Sequence, residues 1–222
     1  MNVSIIGTGY VGLVTAVALA YAGHRVVCVG RNRDKVTSIN AGKALFFEPG
    51  LDNLLNRVIA KRRFTASVEF SQSVVRSDVT IIAVGTPTVD GAIDLTQVRE
   101  AARLVGEALS KKRSYHVVAV KSTVVPGTTE SIVWPILANA SGKSVKLLGL
   151  CMNPEFLREG NAVEDALHPD RIVIGSSDKK SARAYAKLFF KNRCPVFYTN
   201  LATAEMSKYV ANTLLATLVS FS

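Results

Sequence analysis

The chain has 222 residues with a formal net charge of +10, from 27 Lys and Arg against 17 Asp and Glu. Hydrophobic residues make up 48% and charged residues 20%, which excludes a disordered chain and leaves one large domain or a domain with the start of another. The charge favours anionic partners, but the basic residues scatter over expected helix ends with no nucleic-acid motif, so a phosphorylated small molecule fits better than nucleic acid.

In chain order, short β-branched apolar runs alternate with amphipathic stretches. Strands are predicted at 2–6, 25–29, 79–84, 116–120, 145–150, 171–175 and 195–198. Helices are predicted near 10–22, 32–40, 50–62, 95–111, 128–139, 178–191 and 202–221. Runs apolar on both faces and separated by helices are what a buried parallel sheet requires. The fold class is therefore α/β, a Rossmann-type doubly wound and mainly parallel sheet over residues 1–200. Residues 201–222 read as the start of a long helix, "ATAEMSKYVANTLLATLVSFS", which is almost wholly apolar from Tyr209 and needs a surface to pack against.

Residues 1–23 lack the basic start of a signal peptide, and no run of about 18 apolar residues indicates a membrane span. The cytoplasm is the default. Cys28, Cys151 and Cys194 lack CxxC spacing and sit in or beside apolar runs, as small buried residues in a reducing compartment do; no metal site is expected.

The first strand runs into Gly7, Gly9 and Gly12 in GxGxxG spacing, with Tyr10 and Val11 opening the helix that follows. Gly7 permits a tight turn, Gly9 lets backbone amides approach a pyrophosphate, and Gly12 permits close helix packing. A strand before, a helix after and a second strand at 25–29 supply the context in which this spacing binds a dinucleotide. The second strand then ends in "GRNRDK", where an acid would bind the adenosine ribose and repel a 2′-phosphate. Gly30 removes that repulsion, and Arg31, Arg33 and Lys35 can pair with a 2′-phosphate. The stretch favours NADP over NAD; the alternative is a solvated helix start with NAD held through its pyrophosphate.

Five further stretches, "FFEPGLDNLL" (46–55), "VGTPTVDGAIDLTQV" (84–98), "VKSTVVPGTT" (120–129), "NPEFLREGNAVEDALHPDRIVIG" (153–175) and "AEMSKYVANTLLA" (204–216), follow in this order. With the glycine motif they resemble the UDP-glucose/GDP-mannose dehydrogenase family across essentially the whole chain. The resemblance implies oxidation of a nucleotide sugar's primary alcohol to a carboxylate by two hydride transfers to a nicotinamide cofactor, with a cysteine capturing the aldehyde. It also implies a homodimer joined through the long central helix. The sugar pattern is more like UDP-glucose enzymes than GDP-mannose enzymes.

By that resemblance, Gly85, Thr86, Pro87, Ser122 and Thr123 lie along the cofactor, and Thr123 also holds the water near the reacting carbon. Glu155 is the carboxylate assigned to water activation, and Glu159 lies near the nicotinamide. Phe156, Leu157 and Arg158 line the sugar pocket. Lys208 and Asn212 lie one turn apart on one helix face and steady the developing oxyanions. Read from the residues alone, Thr123 could cap a turn, Glu155 and Glu159 could be a solvated helix face, and Lys208 could be a snorkelling lysine. None of the three cysteines matches the family's catalytic position, so the chain is expected to be an N-terminal portion that is inactive alone. The alternatives are a stand-alone NAD(P)-binding module and a two-electron β-hydroxyacid-type dehydrogenase.

Overall fold

The computed structural model describes residues 1–142, 147–191 and 193–221. Its elements, in order, are β1 (Asn2–Ile6), α1 (Tyr10–Tyr21), β2 (Arg25–Val29), α2 (Arg33–Asn40), α3 (Leu51–Ala60), β3 (Phe64–Ser67), α4 (Phe70–Val75) and β4 (Val79–Ile82). A small hairpin, β5 (Thr88–Val89) and β6 (Ala92–Ile93), precedes α5 (Thr96–Ser110) and β7 (His116–Val120). A π-helical turn, Thr129–Val133, leads into α6 (Trp134–Ser141), then β8 (Leu148–Met152), α7 (Ala162–Leu167) and β9 (Ile172–Ser176). Next come α8 (Lys179–Ala186), a 3₁₀ turn (Lys187–Phe189), β10 (Val196–Thr199) and α9 (Leu201–Phe221).

The main sheet runs β10-β9-β8-β7-β4-β1-β2-β3, and every neighbouring pair is parallel except β8 with β9. The six parallel strands wind outwards in both directions from β1, so the chain's direction of progress switches between β1 and β4. Loops leaving those two strands diverge and open a crevice at the strands' carboxyl ends, where a doubly wound sheet binds its ligand.

Strand alternation distributes the core. Ile5 and Ile81 face Leu13 and Val17 of α1, Leu55 of α3 and Tyr185 of α8. Ile6, Ile82, Val118 and Val120 face the opposite side, against Val98, Val105 and Leu109 of α5 and Leu137 of α6. Each such fully buried side chain contributes about 1.5–3 kcal/mol of transfer free energy.

The seven expected strands and seven expected helices are all present, with ends shifted by a few residues. The strand expected at 145–150 is found at Leu148–Met152, and Val145 and Lys146 lie outside the described residues. The helix expected near 128–139 opens as the π turn. Four features were missed: β3, α4, α7 and the β5–β6 hairpin. The first three have at most six residues, too few for a period to register. The hairpin turns on Asp90 and Gly91, both at positive φ (50° and 77°), a pairing whose Asp-Gly signature was available.

The last helix has two unlike halves. Leu201, Ala204, Glu205 and Lys208 are buried, and a Cβ on Gly175 of β9 would lie 2.6 Å from the Ala204 Cβ, so helix and strand are in direct contact. Glu205 is wholly buried and accepts the amides of Gly127 (2.5 Å) and Thr129 (2.7 Å), which pins α9 to the π turn. From Val210 onward Leu214, Leu215, Leu218, Val219 and Phe221 are exposed. Among the described residues, no helix is long and apolar enough to cross a membrane.

Candidate active site

The crevice begins at the glycine turn. Gly7 has φ of 120°, and a Cβ there would sit 2.3 Å from the Ala83 carbonyl oxygen; a Cβ on Gly12 would sit 2.1 Å from the Gly7 carbonyl oxygen. Both positions are closed to any side chain. Gly9 differs: it caps α1 without a side-chain hydrogen bond, and nothing lies within 4 Å of where its Cβ would be. The helix start therefore offers unpaired amides and open space, as a dinucleotide pyrophosphate requires. Val11 follows, half-buried in the first turn.

Tyr10 has a structural tie. Its hydroxyl donates to Glu48 at 2.6 Å, and its ring packs 4.9 Å from Phe46. The buried Glu48 carboxylate also accepts the amides of Gly160 (3.0 Å) and Ala162 (2.7 Å). One carboxylate thus joins the cofactor loop to the segment after β8. Burial pushes the Glu48 pKa upward, but the Tyr10 hydroxyl and the amides of Gly160, Ala162 and Val163 outweigh it and hold the carboxyl below its ordinary value. Burial and the adjacent Glu48 carboxylate raise the Tyr10 phenol, so it stays protonated.

Across the switch point, the loops after β4 and β7 are stitched together. Ser122 Oγ donates to the Val84 carbonyl at 2.7 Å, and Thr86 Oγ1 donates to the Thr123 carbonyl at 2.9 Å. Their protons are spent on backbone, which leaves oxygens to accept from a ligand. Thr123 is half-buried, while Gly85 and Pro87 are exposed along the crevice.

The loop after β8 brings two expected residues into contact. Glu155 Oε1 lies 2.7 Å from Lys208 Nζ, with side chains 11% and 9% exposed, and Glu155 Oε2 accepts the Leu157 amide at 2.7 Å. These residues are 53 positions apart, so this is a tertiary contact rather than a helix-surface pair. Phe156 lies under the Arg171 guanidinium, 4.3 Å from ring centroid to Cζ, with Lys208 at 5.9 Å. Arg158 turns outward to Asp165, at 2.6 and 3.2 Å, and its amide donates to the same carboxylate at 2.8 Å. Glu159 and Asn212 are exposed, Asn212 one turn beyond Lys208. Glu155, Phe156 and Leu157 line a cavity of about 530 Å³ with Lys121 and Asn153.

Lys121, Asn153 and Glu48 belong to this site and were not singled out from the sequence. Lys121 is 9% exposed and donates to Asn153 Oδ1 at 3.1 Å. Burial is the largest influence on its amine and pushes it down to about 8, with Glu155 acting upward and Lys208 downward. A lysine directly following "HVVAV", a fully buried strand, was the available signal.

At the far end of the cradle, Gly30 is buried and Arg31, Arg33 and Lys35 are exposed. Asn32, not a basic residue, caps α2 by accepting the Lys35 amide at 3.0 Å. A Cβ on Gly30 would come within 2.7 Å of the Thr8 methyl, so an acid there needs Thr8 to turn aside. Burial pushes the thiols of Cys28 and Cys151 up to about 12, and neither reaches the crevice surface.

Comparison with known proteins identifies the family. The family described as UDP-glucose/GDP-mannose dehydrogenase family, NAD binding domain, matches residues 1–192. The UDP-glucose 6-dehydrogenase AglM of Haloferax volcanii is 42% identical over 229 residues, covering 100% of this chain and 53% of that protein. A GDP-mannose 6-dehydrogenase of Azotobacter vinelandii is 39% identical over 224 residues, covering 100% of this chain and 51% of its own length. The crystal structure of a ternary complex of GDP-mannose dehydrogenase from Pseudomonas aeruginosa superposes with a TM-score of 0.97 at 38% identity, over 100% of this chain and 51% of that one. The chain thus spans about half the length of the curated relatives it matches. With an NAD-binding cradle, a mostly parallel sheet and these relatives, the chain belongs to the UDP-glucose/GDP-mannose dehydrogenase family.

Proposed function

We propose that this chain serves the oxidation of UDP-glucose to UDP-glucuronate, with NADP favoured over NAD. Residues 1–200 hold the cofactor, and the helix from residue 201 joins two copies of the protein. The observation that carries the reading is the desolvated Glu155–Lys208 pair, with Glu155 on the loop that Glu48 ties to Tyr10 of the glycine turn. The amides at the start of α1 and the hydroxyl oxygens of Ser122 and Thr86 would hold the dinucleotide. Bound there, it supplies the hydride acceptor for each oxidation stage.

The chain's own residues handle charge and protons. Lys208, turning from Glu155, donates a hydrogen bond to the substrate's alcohol oxygen while the alcohol proton passes through the water held by Thr123 to bulk solvent, and Lys208 stabilises the negative charge that develops. Asn212, one turn on, adds an amide donor. Glu155, freed from Lys208, accepts a proton from the attacking water, which Thr123 orients. Phe156 and Leu157 wall the sugar side. Arg158, fixed by Asp165, lines the same pocket, and Glu159 stands at the nicotinamide end of the cofactor. Covalent capture of the aldehyde needs a thiolate, and the thiols of Cys28, Cys151 and Cys194, all raised by burial, do not supply one at neutral pH. The chain alone is therefore expected to bind cofactor without completing the oxidation.

Calorimetric titration with NADP(H) and NAD(H) tests the cofactor reading, repeated on Arg31→Ala and on Gly30→Asp. Tighter NADP(H) binding, lost in both variants, supports the 2′-phosphate site. Equal or tighter NAD(H) binding overturns the preference. A second reading, GDP-mannose as substrate, is favoured by the near-equal identity to relatives of both kinds. Competing UDP-glucose against GDP-mannose on the cofactor-loaded chain separates the two. The exposed apolar side chains from Val210 onward support pairing through α9, which sedimentation tests.

A further inference from the structure

We propose that Lys121 is a positioning residue of this site, a second buried cation that holds the 153–161 loop and retains Glu155 when Lys208 turns to the substrate. The inference rests on the reading of Glu155 and Lys208 above. Glu155 and Lys208 are both about nine-tenths buried, and a buried carboxylate that loses its partner is strongly disfavoured. If Lys208 is to swing toward an alcohol oxygen, Glu155 needs another positive charge that stays behind.

Lys121 stands where such a charge is needed. It leaves the end of β7 next to the start of the loop, and its side chain lines the same cavity as Glu155. Its position is held through Asn153, which is 3% exposed. Asn153 Oδ1 accepts from both Lys121 Nζ (3.1 Å) and the Tyr185 hydroxyl (3.0 Å), while its amide donates to the Val173 carbonyl (2.9 Å). The Asn153 amide is thereby committed to β9, α8 and Lys121 at once. With one N–H on Asn153, the ammonium keeps others for the cavity.

Around Lys121, Asn153 accepts from its ammonium, Glu155 lines the same cavity, Tyr185 of α8 shares the Asn153 Oδ1, and Lys208 of α9 pairs with Glu155. Burial is the main cause of the lowered Lys121 pKa, with Glu155 acting upward and Lys208 downward.

The test uses the full chain labelled with ¹³C at lysine Cε and titrated by NMR, with Lys121→Arg assigning the resonance. Lys121 is expected to titrate well below the surface lysines. Glu155→Gln should move its midpoint down, and Lys208→Met should move it up, each by about half a unit or more. An ordinary lysine midpoint, or one unmoved by both variants, overturns the proposal. Amide exchange at Leu157, whose N–H Glu155 accepts, reads the retention directly. Lys208→Met should leave Leu157 protected, whereas Lys121→Met/Lys208→Met should expose it by about tenfold or more. If Lys208→Met alone exposes Leu157 as much as the double variant does, Lys121 retains nothing. Where Lys121→Met fails to fold, Lys121→Gln/Lys208→Met, which keeps a polar side chain but no cation at position 121, should still expose Leu157, and a protected Leu157 there overturns the proposal. Absence of NADP(H) and NAD(H) binding would sink the cofactor reading and leave these titrations standing.

Discussion

The two loops that form the candidate site are built in opposite ways. The 7–12 turn is made by the absence of side chains: Gly7 and Gly12 sit where any Cβ would strike backbone, and Gly9 borders open space. The 153–161 loop is made by side chains sent from elsewhere. Glu48 reaches it from before α3, Lys121 from β7, Asp165 from α7 and Lys208 from α9. A backbone-made site is local and carries a short motif. A site made by distant side chains exists only after the sheet has gathered them.

The largest effect should come from putting a side chain into the backbone-made loop. Gly12→Val places atoms 2.1 Å from the Gly7 carbonyl oxygen, backbone that cannot turn aside, so the cost exceeds ordinary side-chain overpacking and reaches about 5 kcal/mol. Thermal unfolding should fall by many degrees and calorimetric binding of either cofactor should vanish. Retained binding would mean that the turn can relax, and the contrast between the loops would fail.

Next is the carboxylate that links the two loops. Glu48→Ala leaves the Gly160 and Ala162 amides unpaired in a buried place, for about 2–4 kcal/mol of stability by urea unfolding. The pH dependence follows from the sign of the shift. The folded-state pKa is depressed, so the stabilisation is fully present above the unfolded value of about 4.3 and is lost as pH falls through the folded value. Wild-type and Glu48→Ala unfolding curves should therefore converge below about pH 4. Curves that stay parallel in acid would show that Glu48 acts by packing alone.

A smaller effect is expected at the rim. Arg31→Ala should weaken NADP(H) by about tenfold or more and leave NAD(H) and the unfolding midpoint unchanged. In Gly30→Asp, the new side chain meets the Thr8 methyl, so the variant is best paired with Thr8→Ala. Smallest of all, Arg103→Ala removes exposed pairs with Glu100 and Glu107 on α5 and should leave the midpoint within about one degree.

Much of the fold was legible because its signals are periodic and local. The apolar runs of β1, β2, β4 and β7 and the amphipathic helices between them needed only alternation and length to be read. What failed to register was short, as in β3 and α7, or depended on partners. Glu48 sat inside a quoted motif, "FFEPGL", without a role, because its Tyr10 and Gly160 partners lie 38 and 112 positions away. Lys121 followed a buried strand, but Asn153, 32 positions on, was needed to say where its ammonium goes. The Glu155–Lys208 pairing was likewise invisible to spacing; the resemblance named both residues, and the fold brought them to 2.7 Å.

The sequence by itself determined seven of the main sheet's eight strands, the glycine cradle and the missing acid at Gly30, since each depends on residues adjacent in the chain or on a side chain that is absent. Only the tertiary structure decided which charges meet. Glu48, Lys121, Glu155 and Lys208 have their partners where crossover helices and the close contact of Gly175 with α9 carry them, and a chain's spacing does not encode that distance.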